Sequence, residues 1–458
     1  MVNYKSRARA ALSAGLEWLS LIYFLYSLML AAAMLAALPY WLYQMLRHGK
    51  YRAGLAERRG KVPARIWTSS ASRVIWVHAV SVGEVLAVTG LVAAMRHSMP
   101  GHRVLVSTTT DTGQELARKR FGADCVFFFP MDFAFAIKPY LQSLRPELVV
   151  LVETEFWPNF LHLARESGSR IAVVNARISD RSWPNYRRFR WALRRMLKEV
   201  DLFLAQTEED RRRLESIGAE PKCVRVTGNL KFDLQQPPAT AVAETLRRAL
   251  AGEGAGPVLL CGSTVEGEEP VLLKAFENIR VAHPRAVMIL APRHPERFDD
   301  VAILLRQLNI KFFRRSRWAG ESLAGGVFLL DSIGELAALY ALADVAFVGG
   351  SLVPRGGHNI IEPAQHGAAI VVGPHTENFR DIVALFQSRD AVRVAGLSEL
   401  PLLFMHLLAS DTERRALGER AKETMRSQAG ATARTLDALH KLVATNDPLL
   451  TAQTAHTD

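Results

Sequence analysis

The chain has 458 residues, 49% hydrophobic and 22% charged, which is long enough for two domains of ordinary size and too apolar for disorder. Its net charge of +12, from 57 Lys+Arg against 45 Asp+Glu, suits an anionic membrane surface or a phosphorylated substrate; without a helix-turn-helix, zinc-finger or RNA-binding signature, nucleic acid is not expected as a partner. Cys125, Cys223 and Cys261 are far apart and in no metal-ligand spacing, which argues against a disulfide framework and a zinc site and fits a reducing compartment.

No residue from Trp18 to Leu46 is charged. About 20 apolar residues cross a bilayer, so this span is a candidate membrane anchor. Trp18, Tyr23, Tyr40, Trp41 and Tyr43 suit its interfaces, and Pro39 is placed to kink or end the helix. Lys5, Arg7 and Arg9 precede the span. The heavier cluster Arg47, Lys50, Arg52, Arg58, Arg59 and Lys61 follows it, which places the main body on the cytoplasmic side of a single pass. A helix buried or lying in the membrane plane is the open alternative.

Beyond residue 73 short apolar runs alternate with helical segments. Strands are expected at Val74–Val80, Val104–Thr110, Cys125–Phe129, Leu148–Glu153, Arg170–Asn175, Leu202–Gln206 and Val224–Gly228. Between them Gln114–Phe121, Phe160–Ser167 and Glu208–Ile217 read as helices, so the series is βαβ and the sheet parallel. Gln235-Gln236-Pro237-Pro238 reads as a linker, after which strands are expected at Pro257–Gly262, Ala286–Leu290, Gly326–Leu330, Asp344–Val348 and Ala368–Val372. The expected fold is α/β, two doubly wound Rossmann-like domains facing across a cleft, behind an N-terminal anchor helix. Its parts are an anchor (1–50), a first domain (51–233), a linker (234–241), a second domain (242–410) and a C-terminal helix and tail (411–458), with Asp411–Val443 read as a long helix returning to the first domain.

Ser81-Val82-Gly83-Glu84 follows the first strand, where Val85–His97 begins a helix. Glu84 therefore lies just past the carboxyl end of a strand, the edge at which open α/β sheets bind ligands, with a helix start to keep its carboxylate ionised. Taken alone, such a glutamate reads first as a helix-capping acid. In the second domain Ala291-Pro292-Arg293-His294-Pro295-Glu296-Arg297 puts Arg293 where a phosphate could be held. Asp331-Ser332-Ile333-Gly334-Glu335 opens a helix. Gly349-Gly350-Ser351 ends a strand and Arg355-Gly356-Gly357-His358-Asn359 leads into Ile360-Ile361-Glu362, a glycine turn whose amides approach a phosphate and whose Glu362 can accept from ribose hydroxyls. Neither G-x-G-x-x-G nor G-x-x-x-x-G-K-[ST] occurs in place, and Glu153-Thr154-Glu155 is a poor magnesium set, so neither cofactor nor metal is expected.

On these residues the chain resembles the lipid A Kdo transferases, membrane-anchored glycosyltransferases of the GT-B architecture. The resemblance runs from the anchor to about Gly418 through Ser81–Glu84, Glu153-Thr154-Glu155-Phe156-Trp157-Pro158-Asn159, Asn175-Ala176-Arg177, Thr227-Gly228-Asn229-Leu230-Lys231-Phe232-Asp233, Pro292–Phe298 and Gly349–Glu362. It implies transfer of 3-deoxy-D-manno-octulosonic acid (Kdo) from CMP-Kdo to the lipid A precursor, lipid IVA, in lipopolysaccharide core biosynthesis at the inner membrane. It makes the first domain acceptor-binding and the second CMP-sugar-binding. It further implies Glu84 as general base, Glu153 and Lys231 as transition-state stabilisers, and Pro292, Arg293, Ile333, Gly334, Glu335, Asn359, Ile360, Ile361 and Glu362 as the CMP site. Phe156 stands where leucine is frequent, and Arg314–Leu323 fits no pattern.

A sugar hydroxyl is a poor nucleophile, so a carboxylate must take its proton as the bond forms, and direct attack opposite the leaving group inverts the anomeric carbon. CMP leaves as a monophosphate, so Lys231 or Arg293 can offset its charge in place of a metal. The Arg181–Trp191 segment interleaves arginines with aromatics, either an exposed amphipathic helix or, through Arg187, Arg188 and Arg190, a docking surface for lipid A phosphates and the membrane. A nucleotide-sugar epimerase and a catalytically silent membrane-anchored nucleotide-binding protein are the alternatives.

Overall fold

A computed structural model describes residues 2–48, 53–67, 73–180, 182–233 and 240–444. The linker expected at 234–241 lies outside the described residues except at its end, as do Lys50, Arg52 and Arg181. The chain divides into two compact units, Met1–Leu234 with Gly430–Asp458, and Gln235–Ala429.

The first unit holds β1 (Arg73–His78), β2 (His102–Thr108), β3 (Val126–Phe128), β4 (Leu148–Val152), β5 (Arg170–Ala176), β6 (Leu202–Ala205) and β7 (Val224–Val226). They form one parallel sheet in the order β3-β2-β1-β4-β5-β6-β7. The second unit holds β8 (Val258–Thr264), β9 (Val287–Pro292), β10 (Phe312–Arg314), β11 (Val327–Leu329), β12 (Val345–Val348), β13 (Ala369–Val372) and β14 (Arg393–Val394). Its order is β10-β11-β9-β8-β12-β13-β14, again parallel.

Continuous apolar runs form these strands because both sheet faces are covered. Along β1, Val74 and Trp76 enter one core cluster while Ile75 and Val77 enter the other, the period-two alternation of a strand buried on both sides. Trp76 anchors the first cluster, with Phe160 at 4.9 Å and Phe127 at 5.3 Å between ring centroids. Its Nε1 donates to Ser107 Oγ at 2.7 Å, so the one polar atom of the indole is satisfied.

Every strand read from the sequence is present, its ends within two residues of those expected. The edge strands β10 and β14 were not legible, being three and two residues long and half exposed. Pro39 neither ends nor breaks the N-terminal helix, which runs Val2–His48. The long C-terminal helix is in fact two, Asp411–Ser427 and Ala431–Ala444, parted where Gly430 takes φ +91°. The former belongs to the second unit and the latter to the first.

Candidate active site

In the first sheet the strand order reverses between β1 and β4, the switch point at whose carboxyl edge doubly wound sheets bind ligands. Glu84 follows β1 and Glu153 follows β4. Helix Val82–Ser98 starts at Ser81, which has the extended backbone of an N-cap (φ −124°, ψ 170°), and places Glu84 in its first turn. Ser-x-x-Glu is the spacing of a capping box. Here, though, Glu84 Oε2 accepts from the Val80 N–H at 2.7 Å, and the Ser81 hydroxyl donates to Oε1 at 3.0 Å. The carboxyl holds the turn, yet it does not stay ionised at low pH as a cap would.

Only 8% of Glu84 is exposed. Burial pushes its pKa up to about 7, and the charges of Glu153 and Glu155 push the same way against the bonds from Val80 and Ser81. Desolvation wins over the helix start because little water remains to solvate the charge. A carboxyl titrating near neutrality is matched to proton abstraction at physiological pH.

Glu153 takes φ +61°, a left-handed backbone uncommon for a side-chain-bearing residue, while its N–H still bonds Val174 O at 2.9 Å. Lys231 Nζ lies 3.4 Å from Glu153 Oε1. Burial, and then Glu153, raise the Glu155 carboxyl as well. Glu84, Glu153 and Lys231 are thus brought together with Glu155, three acids and one cation.

Lys231 sits on the short turn Leu230–Asp233, whose supports the sequence reading missed as such. Buried Asn175 accepts the Leu230 N–H on Oδ1 at 3.0 Å, and Asp233 accepts from Gly430 N at 2.7 Å and from Thr432 N. Arg434 Nε donates to Thr227 O at 2.9 Å. Helix Ala431–Ala444 therefore clamps the lysine's loop. Arg187 and Arg188 end helix Trp183–Arg188, and Arg190 starts helix Arg190–Leu197. All three are exposed, beside Phe189 (54% exposed) and Trp191 (65%).

In the second sheet the order reverses between β8 and β12. Pro292 ends β9 and is buried, whereas Arg293 beyond it is exposed, its N–H bonded to Thr264 O at 2.9 Å. Asn359 ties the next turn, donating from Nδ2 to Glu362 Oε1 at 3.3 Å and accepting the Ile361 N–H on Oδ1 at 3.1 Å. Burial raises the Glu362 carboxyl, opposed by Asn359 and by Arg293, whose charge reaches it. Burial and the charges of Arg293 and His294 push His358 down to about 4. Arg293, His358 and Glu362 thus share one corner. Ile360 and Ile361 are fully buried, so they contribute backbone and packing rather than side-chain contact.

Ile333 is 65% exposed, and Gly334 takes φ +93° with no atom within 4 Å of an added Cβ. Glu335 is not free: Arg315 grips it bidentately at 3.0 and 3.1 Å, and Ser332 bonds it too. Arg314 pairs with Asp331 at 2.7 Å and with Asp299 at 2.6 Å. The stretch that fits no sequence pattern is thus what fixes the Asp331–Glu335 loop.

One expectation is corrected. The amides of the Gly349-Gly350 turn do not lie open for a phosphate, because the buried Glu268 carboxyl fills that nest. It accepts from Gly350 N (2.8 Å), Ser351 N (2.9 Å), Leu352 N (2.9 Å) and Val265 N (3.0 Å). A Cβ on Gly349 would fall 2.8 Å from Glu268 Oε2 and 2.5 Å from Ser263 O, which is why glycine is required there. Among the described residues no group of three His, Cys, Asp or Glu is placed to hold a metal ion.

Residues 53–234 match the family model described as 3-deoxy-D-manno-octulosonic-acid transferase (kdotransferase). The 3-deoxy-D-manno-octulosonic acid transferase of Bordetella pertussis is 38% identical over 417 residues, 87% of this chain and 94% of that protein. That of Haemophilus influenzae is 34% identical over 403 residues, 85% and 91% of the two chains. Among solved structures, UDP-GlcNAc 2-epimerase from Neisseria meningitidis superposes with a TM-score of 0.54 at 14% identity, over 81% of this chain and all of that one, a likeness of fold alone.

Proposed function

The chain belongs to the 3-deoxy-D-manno-octulosonic acid transferase family, and on that premise we propose that it moves Kdo from CMP-Kdo to the lipid A precursor, lipid IVA, by an inverting, metal-independent reaction with Glu84 as base. The observation that carries this reading is a nearly buried carboxyl poised at about 7 beside Glu153, Glu155 and Lys231. Glu84 takes the proton of the acceptor hydroxyl, whose oxygen bonds the anomeric carbon as the bond to the phosphate oxygen breaks and CMP departs. Developing positive charge on the sugar is met by Glu153, while Lys231 keeps that carboxylate in place. Arg293, Asn359 and Glu362 hold the nucleotide, with Pro292, Ile333, Gly334, Glu335, Ile360 and Ile361 shaping its site, and Arg293 balances the departing phosphate.

The pH profile tests the base. Glu84 must be deprotonated to act, and its pKa is raised, so activity is lost as pH falls through about 7. We expect kcat/KM to drop roughly tenfold per pH unit below that point; a flat profile between pH 5 and 8 contradicts the assignment. For nucleotide binding, Glu362→Ala weakens CMP affinity in calorimetry, and an unchanged Kd removes Glu362 from the site.

Helix Val2–His48 contains a candidate membrane span, Tyr23–Arg47; on our reading it anchors the chain at the inner membrane with the catalytic units on the cytoplasmic side, which the heavier basic cluster after the span favours. Arg187, Arg188 and Arg190 meet acceptor phosphates and anionic headgroups there, each cation worth about 1 kcal/mol at such a surface. Charge reversal at Arg187 and Arg188 should lower binding to anionic liposomes and raise the acceptor KM; if both hold at wild-type values, the patch has another role.

A further inference from the structure

The N-terminal helix is joined to the first unit well before its own end. Tyr23 stacks on His162, ring centroids 4.2 Å apart and planes within 12°. One turn on, Ser27 Oγ accepts from Asn159 Nδ2 at 2.9 Å; the same amide donates to Asp132 O at 2.6 Å, and Tyr26 bonds the Asp132 carboxyl. That face of the helix stays half-buried through Leu30, Met34, Ala37, Trp41 and Met45. The other face exposes Phe24, Leu28, Met29, Leu35, Leu42 and Leu46.

Where the chain re-enters the unit it meets the same segment. Gly54 lies so close to Phe128 that a Cβ would fall 1.9 Å from the ring, and Met131 N donates to Arg58 O at 2.8 Å. Thus Tyr26, in the first turn of the apolar span, and Gly54–Arg58, beyond its end, both abut Phe128–Asp132. A single crossing leaves the two ends of a helix on opposite faces of a bilayer. From Ser27 to His48 the helix is about 31 Å long at 1.5 Å per residue. The six steps from His48 to Gly54 reach back at most about 22 Å, short of the ~30 Å hydrocarbon core.

We propose that Tyr23–Arg47 lies in the plane of one leaflet, held to the first unit by Tyr23, Tyr26 and Ser27, with its outer apolar face among the acyl chains and both its ends on the catalytic side. An interfacial helix ordinarily needs a polar face. Here the globular unit supplies it, through Asp132, Asn159 and His162. The occupant of the outer face is lipid, because from Phe24 to Leu46 that face carries no charge and exposes large apolar side chains, with Tyr40 and Tyr43 toward its far end. The basic helices lie near: His162, under Tyr23, also pairs with Glu199 at 3.5 Å, two residues past helix Arg190–Leu197. This placement rests on the reading above that the chain binds a membrane, and replaces a single pass by a one-leaflet anchor.

Side-specific labelling of the full-length chain tests it. In a chain with Cys125, Cys223 and Cys261 replaced by alanine, Ser6→Cys reports the N-terminal end, and Gly101→Cys, an exposed position with open space around it, reports the catalytic unit. With a membrane-impermeant maleimide, both variants should label in the same preparation, whether intact or permeabilised cells. Oxidation of a Tyr23→Cys, His162→Cys pair in membranes should yield a cross-link. Labelling of the two reporters in opposite preparations overturns the in-plane helix and leaves membrane binding intact. Recovery of the unmodified chain in the soluble fraction overturns membrane binding itself.

Discussion

Glu84→Gln is expected to cut Kdo transfer by about 10²–10⁴-fold, the usual worth of a positioned general base, while CMP-Kdo still binds with its original Kd. Glutamine keeps an oxygen for the Val80 N–H (2.7 Å in the native turn), so the turn survives and only the proton acceptor is lost. A second readout separates chemistry from folding. The Glu84 pKa is raised on folding to about 7, so the native state binds the proton more tightly than the unfolded chain does. Its stabilising effect is therefore complete below the ordinary carboxyl range and is lost as pH rises through 7. Above 7 the wild type carries a charge that burial disfavours and the glutamine variant does not. Glu84→Gln should accordingly unfold at a higher temperature than wild type at pH 8, the gap closing toward pH 5. Wild-type turnover in this variant rules Glu84 out as the base; a gap that does not change with pH shows that the carboxyl is not raised.

The largest structural effect is expected from Glu268→Ala. Four backbone N–H groups, from Val265, Gly350, Ser351 and Leu352, end on that one side chain, which has no exposed surface. Removing it leaves buried donors without acceptors at about 1–3 kcal/mol each before relaxation. A net loss of roughly 3–5 kcal/mol is the scale found when one partner of a buried charged network is deleted. For a unit of this size that corresponds to a drop on the order of 10 °C in the unfolding midpoint. Glu268→Gln, which keeps one accepting oxygen, should fall between. An unfolding midpoint for Glu268→Ala within a degree of wild type means that water or a rearranged turn replaces the carboxyl, and that the nest is not what orders Gly349–Leu352.

Much of the architecture was legible because fully buried parallel strands are written as runs such as Val-Ile-Trp-Val and Leu-Val-Val-Leu-Val, which leave little choice of element. The position of Glu84 was equally open to reading, since the residue after a strand and before a helix has only one place to be. Its protonation was not. The acids that raise it arrive from β4, far along the chain, and the burial that dominates is a property of the packed unit. The glycine turn after β12 shows the same division. Gly349 and Gly350 announce a close approach of backbone to something, but a phosphate and the Glu268 carboxyl ask the same of the backbone, and only the fold tells them apart. Arg315 could not have been found from periodicity, because it follows the short, half-exposed β10 and, like Arg314 at that strand's end, reads as surface charge until Asp331 and Glu335 are seen against them. Asp233 and Asn175 lie inside motifs that were noticed, yet Asn175 meets the lysine loop from β5, 55 residues away along the chain, and Asp233 works through the start of a helix from the far end of the chain.

The most direct measurement is the mass of the lipid product after the full-length protein is incubated with CMP-Kdo and lipid A precursor in detergent or liposomes. The lipid should gain mass in whole Kdo residues, with one CMP released for each. CMP released without any gain in lipid mass, or a lipid that stays unchanged while the free nucleotide sugar is isomerised, contradicts it.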